Sequence, residues 1–224
     1  MTTEDRVRAI LETLPPHVQL VAAAKTRSPE EIRAAIDAGI RIVGQNYVQE
    51  AQRAIDAVGR DTVSWHMIGH LQRNKVRDAV QLFDLIQSVD SLRLARRIDA
   101  EAAKAGRTQP ILIEINSARE PGKGGVLPKE AEDLVAEVAG LASIRLDGLM
   151  TMGPLTADPE AVRPFFRETK GLFDRLASRP GFSERMRILS MGMSDSYAVA
   201  IEEGATMVRL GTALFGPRAC AVDA

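Results

Sequence analysis

Short apolar runs, each too brief for a helix, alternate with stretches of helical period, and the cycle recurs about eight times along 224 residues. The spacing predicts a leading helix over Asp5–Leu14, where Val7, Ile10, Leu11 and Leu14 share a face and Pro15-Pro16 stops the run. Val18–Ala24 then reads as a buried strand. Ser28-Pro29-Glu30-Glu31 opens the next helix as a capping box with proline in its first turn, and Gly39 ends that helix. Further strands are expected at Ile40–Val43, Val63–Met67, Leu85–Ser88, Ile111–Asn116, Ile144–Met150, Arg187–Ser190 and Thr206–Leu210. Helices are expected at Tyr47–Val58, Lys75–Leu82, Ser91–Ala105 capped by Asp90, Lys129–Leu141, Pro159–Leu176 preceded by Asp158, and Asp195–Glu203 ended by Gly204. Eight βα units behind one extra N-terminal helix read as an α/β fold, a single (β/α)8 TIM-type barrel domain over residues 1–224. An open doubly wound sheet is the runner-up, but no GxGxxG follows the first strand.

Composition narrows the partners. Apolar residues are 45%, charged residues 26% and the net charge is -1, a globular profile with no basic field for nucleic acid or an anionic membrane. No apolar run reaches the ~20 residues of a membrane helix, and the first ten residues lack a secretory pattern. Cys220 is the one cysteine, so no internal disulfide forms, which suits a reducing compartment. A cytoplasmic monomer is the expectation, since a closed barrel needs no partner to complete its core.

In a barrel the chemistry sits where strands end. Lys25 closes the first strand and is either a solvated lysine or a desolvated amine, nucleophilic toward carbonyls. Ser190-Met191-Gly192-Met193-Ser194 follows the seventh strand, and Arg209-Leu210-Gly211-Thr212 ends the eighth. Glycines let backbone N–H groups reach an anion, helix starts add donors, and loops after strands seven and eight are the usual phosphate cradle. Ser194 is placed to cap its helix and to bind a phosphate oxygen. The pair of loops implies a phosphorylated ligand, and Lys25 adds an aldehyde or ketone to it.

Arg209 needs a buried acceptor, either a ligand heteroatom or a carboxylate such as Glu114. His66 alternates with Trp65 and Met67 and is expected to point into the barrel, whereas His70 reads as a satisfied core histidine. No metal-ligand spacing accompanies them. Asn46 and Asn116 end strands as ligand hydrogen-bonders or turn residues. Met191 and Met193 form a soft wall suited to an aromatic ring. Lys123-Gly124-Gly125 has loop character but not the spacing of a P-loop.

Several of these stretches together carry a family resemblance. Ala22-Ala23-Ala24-Lys25-Thr26, Gly44 to Glu50, Trp65 to Lys75, Ser190 to Ser194 and Met207 to Gly216 occur in order over nearly the whole chain. On these motifs the chain resembles the pyridoxal-phosphate (PLP) homeostasis protein family. The resemblance implies a barrel like the N-terminal domain of alanine racemase, with PLP held as a Schiff base on Lys25. It also implies Arg209 facing the pyridine nitrogen, Ser194, Gly211 and Thr212 at the phosphate, and Asn46 beside the cofactor. Ser190 and His66 complete the expected cofactor-binding set. Two positions depart from the family pattern: Gln45 stands where glutamate is usual, and Ser196 where aspartate is usual, with Asp195 one residue earlier.

The function this implies is PLP carriage in vitamin B6 and amino-acid homeostasis, with no firm catalytic residue and PLP-dependent enzymes as candidate recipients. An arginine at the pyridine nitrogen disfavours its protonation and weakens the ring as an electron sink. The chain also ends at Ala224, before any second domain could supply an opposing base, although Tyr47 is a candidate hydroxyl donor from the same chain. The alternatives are a small PLP-dependent amino-acid racemase or lyase, and a barrel aldolase or isomerase using Lys25 on a sugar phosphate.

Overall fold

The computed structural model describes residues 1–154, 156 and 158–217; Cys220 lies outside them. Eight parallel strands close into a barrel in sequence order, so the open-sheet alternative is set aside. The strands are β1 (Gln19–Ala23), β2 (Ile42–Gln45), β3 (Ser64–Met67), β4 (Leu85–Val89), β5 (Gln109–Ile115), β6 (Ile144–Thr151), β7 (Ile188–Ser190) and β8 (Met207–Leu210). The ring closes where Leu20 to Ala22 of β1 lie beside Val208 to Leu210 of β8.

The leading helix α1 (Thr3–Thr13) begins earlier than its apolar period suggests, because Thr2 and Asp5 form a reciprocal capping box. The crossover helices are α2 (Pro29–Asp37), α3 (Val48–Val58), α4 (Val76–Leu82), α5 (Leu92–Lys104), α6 (Ala131–Ala139), α7 (Arg163–Ala177) and α8 (Tyr197–Glu202). A short α9 (Thr212–Phe215) follows β8. The Ser28 capping box is present, with Glu31 as its return partner. Asp158 caps as expected, but α5 is capped by Ser91 rather than Asp90: the Ser91 hydroxyl accepts from the Leu94 N–H. β2 starts two residues later than the apolar run, because Gly39 (φ 121°) turns the chain and Ile40 is spent packing in the core.

Alternation within the strands divides the core in two. Val21, Ile68, Leu85, Leu112, Met150 and Met207 form one cluster, which fills the barrel. The opposite faces of the strands pack on the helices in the larger cluster, around Trp65, Phe83 and Phe166. Both faces of each strand are therefore covered, which is why the strands read as continuous apolar runs.

Candidate functional site

At the mouth, Lys25 follows β1 and Ala24 and is half-buried. The next residue, Thr26, has φ 63°, a left-handed conformation costly for a β-branched side chain. Its N–H donates to Glu50 of α3 and its hydroxyl to the Lys25 carbonyl at 2.6 Å. The turn that presents Lys25 is thus strained and held from both sides. The register that aligns Ala22 with Leu210 sets Gly211 against Ala23, so Lys25 and the loop after β8 are neighbours across the closing seam.

The loops after β7 and β8 are stitched by one hydroxyl. Ser194 Oγ accepts from the N–H groups of Gly211 (3.2 Å) and Ala213 (3.1 Å). Ser194 therefore does not cap α8; that helix starts at Tyr197, and the Ser196 hydroxyl turns back to accept from the Met193 N–H. Gly192 has φ +94°, and a Cβ there would meet Ala200 at 2.6 Å, so only glycine lets this loop lie on α8. α8 and α9 are short, so this corner presents oriented loop N–H groups and hydroxyls rather than a long helix dipole.

Arg209 forms the floor beneath these loops. It is buried, donating from Nη1 to Ser190 Oγ (2.6 Å) and from Nη2 to the Thr151 carbonyl (2.9 Å). Both partners are neutral. Burial pushes its pKa down to about 10, with Glu114 the charge that partly opposes this. Glu114 attracts Arg209 without bonding it, so the carboxylate alternative for Arg209 is replaced by a serine hydroxyl and a carbonyl. Glu114 itself points into a mouth pocket of about 230 Å³ shared with Asn46, Asn116, Lys123 and Met152. Burial, reinforced by Asp90, pushes the Glu114 pKa up to about 7.

Asn46 is fixed at the rim by close approach: a Cβ on Gly69 would lie 2.5 Å from the Asn46 carbonyl oxygen. Tyr47 stands beside it, 59% exposed, in a second mouth pocket of about 360 Å³. Met191 is buried, while Met193 is only partly so. Gln45 is buried with its side-chain oxygen unpartnered among the described residues.

His66 points into the barrel as alternation predicts, but below the site, and His70 is not the core histidine expected. His70 is the exposed one, on the mouth loop 4.0 Å from Asp90, because it lies beyond the end of β3. His66 is buried and bonds Ser64 Oγ (3.2 Å) and Gln87 Nε2 (3.0 Å). It borders a cavity of about 510 Å³ shared with Gln19, Ile42 and Ser64, at the other end of the barrel. His66 is thus beneath the floor and does not line the mouth pockets. Gln87, at the centre of the wholly buried strand β4, escaped the sequence reading. Its signal was a lone polar amide at an inward position of β4.

Comparison with known proteins places the fold and the family. Residues 2–219 match the family model described as alanine racemase, N-terminal domain. A protein of Aquifex aeolicus named pyridoxal phosphate homeostasis protein is 42% identical over 200 residues, covering 89% of this chain and 87% of that protein. Structures of PipY from Synechococcus elongatus superpose without PLP at a TM-score of 0.90 (35% identity) and with PLP bound at 0.87 (34% identity). Each covers 96% of this chain and 100% of that chain. Alanine racemase of Clostridium difficile shares the fold alone, at 17% identity and a TM-score of 0.81, with this chain spanning 56% of it. The chain belongs to the alanine racemase N-terminal domain family and, within it, to the pyridoxal phosphate homeostasis proteins.

Proposed function

We infer that this chain binds pyridoxal 5'-phosphate in the barrel mouth through Lys25 and acts in intracellular PLP and amino-acid homeostasis. The observation that carries this is the adjacency of three unlike elements at the β1–β8 seam: the strand that ends in Lys25, a hydroxyl-stitched glycine loop pair after β7 and β8, and a buried cation on β8. The donor set fits the ligand. An amine suits an aldehyde, the loop N–H groups with Ser194 and Thr212 suit a phosphate, and Arg209 can donate to a ring nitrogen but cannot accept from one. A PLP-bound structure of the related PipY, 34% identical, supports the same reading.

PLP supplies an aldehyde that joins amines covalently and a ring that withdraws electrons. Lys25 would offer the amine, presented by a strained turn on the strand that borders the Gly211 loop. Gly211 and Thr212 with Ser194 would hold the anion, which would take over the Gly211 N–H that Ser194 Oγ now accepts, and Asn46 would stand at the rim of the site. Arg209, a cation with neutral partners, opposes protonation of a nearby ring nitrogen and so restrains carbanion chemistry. This favours holding over turnover. The chain acts as one barrel domain over residues 1–224 and as a cytoplasmic monomer that hands PLP to PLP-dependent enzymes, without nucleic-acid or membrane partners. Among the described residues no helix is long and apolar enough to cross a membrane.

Borohydride treatment of the PLP-loaded protein, followed by peptide mapping, tests the reading. A pyridoxyl group fixed on Lys25 is the expected result. A protein whose visible spectrum is unchanged by PLP would favour the sugar-phosphate aldolase or isomerase instead. The racemase or lyase reading draws support from one observation, the largely buried Glu114 carboxyl with a pKa near 7 in the mouth. Turnover of single-enantiomer amino acids, lost in both Lys25→Ala and Glu114→Gln, would establish that reading over the carrier.

A further inference from the structure

The hydrogen bonds behind Arg209 can run in one direction only. Arginine has no acceptor, so its Nη1 donates to Ser190 Oγ at 2.6 Å. The serine proton is then free to go on to Gln87 Oε1, 2.7 Å away. With its oxygen toward Ser190, the Gln87 amide turns its nitrogen to His66 Nδ1, at 3.0 Å. That ring nitrogen must accept, so the imidazole proton sits on Nε2 and is given to Ser64 Oγ at 3.2 Å. Arg209, Ser190, Gln87 and His66 are all buried, so no water competes for these positions. Burial also keeps His66 neutral, its pKa down at about 4, with Asp84 the one charge opposing this. The chain of bonds spans the barrel from its mouth-side floor to the cavity at its opposite end.

We propose that Gln87 and His66 are positioning residues for Arg209, aligning Ser190 Oγ so that the guanidinium is held under the mouth with its remaining N–H groups available to the ligand ring. The proposal rests on the reading of the mouth as a PLP site. A polar chain of this kind must be complete to be tolerated, since one missing member leaves a buried donor or acceptor unpaired. Removing the far end therefore reaches Arg209 without touching the ligand. Replacing His66 by asparagine keeps an acceptor where Nδ1 stood, whereas leucine does not.

The test uses full-length protein loaded with PLP and compares the wild type with Gln87→Leu, His66→Leu and His66→Asn. The expected result is a shifted visible band and PLP affinity weakened roughly tenfold in the two leucine variants, with both values restored in His66→Asn. Wild-type affinity and an unshifted band in folded leucine variants would overturn the proposal while leaving the mouth as the PLP site. A wild-type protein in which borohydride fixes nothing on Lys25 would instead overturn the underlying reading. Long-range ¹⁵N–¹H spectra of the wild type stand in if the leucine variants do not fold. The chain has three histidines, and His66 is assigned from the signals missing in His66→Asn. A proton on Nε2 is expected; a proton on Nδ1 breaks the direction of the chain and with it the proposal.

Discussion

Lys25 and Arg209 divide the work at the residue scale. Lys25 is half-buried at the rim and contributes little to the core, so Lys25→Ala should keep its circular dichroism while losing every borohydride-fixed pyridoxyl group. Loss of helical signal in that variant would mean that the lysine is structural. Arg209 is the opposite case, a buried cation with only neutral partners. Arg209→Glu puts a proton acceptor in place of a donor, so the absorption of the loaded protein should shift as a ring nitrogen gains a proton. An unshifted spectrum in a folded, PLP-loaded variant would separate Arg209 from the ring. Position alone marked both residues without deciding their roles, since a lysine that closes a strand can equally be solvated; the family resemblance supplied the cofactor reading. His66 and His70 were not legible in the same way. Alternation points His66 inward, but it does not say how far down the barrel that side chain stops.

At the scale of elements, the site depends on two loops lying against each other. Gly192 carries that arrangement through its φ of +94° and the 2.6 Å approach to Ala200. Gly192→Ala should therefore destabilise the fold by about 1–3 kcal/mol and weaken PLP binding more than the stability loss alone accounts for. Thermal melting with and without PLP measures both; equal loss in the two states would show that the loop is structural and not part of the cradle. The strands, capping boxes and crossover helices were largely readable, because their signals are local. The role of Ser194 was not. Its hydroxyl has two local options, capping a helix or bridging to a neighbouring loop, and only the placement of β8 beside β7 selects the second.

For the whole molecule, the buried His66 and the partly buried Glu114 set opposing responses to pH. His66 has a folded pKa of about 4, below its ordinary 6.5, so its contribution to stability is present above 6.5 and is lost as pH falls through 4. Glu114 has a folded pKa of about 7, above its ordinary 4.5, so its contribution is present below 4.5 and is lost as pH rises through 7. Between those limits the two slopes cancel, each contributing up to about 3 kcal/mol. The advantage of Glu114→Gln over the wild type should therefore grow as pH rises from 4.5 to 7. Melting curves across that window decide it, and a flat or shrinking difference would place the carboxyl in water. These melts are run without PLP, so that ligand linkage does not enter.

The order of elements, the parallel closed barrel and the strand-end positions of Lys25 and of the loops after β7 and β8 were already determined by the linear chain. Hydrophobic period, caps and strand-end positions are properties of neighbours in sequence. Only the tertiary structure decided the polarity of the barrel interior: which histidine is buried, that Arg209 leans on a serine rather than a carboxylate, and that Gln87 links them. Those choices depend on the height at which inward side chains from different strands meet. Shear and register around the closed ring set that height, and no single strand carries the information.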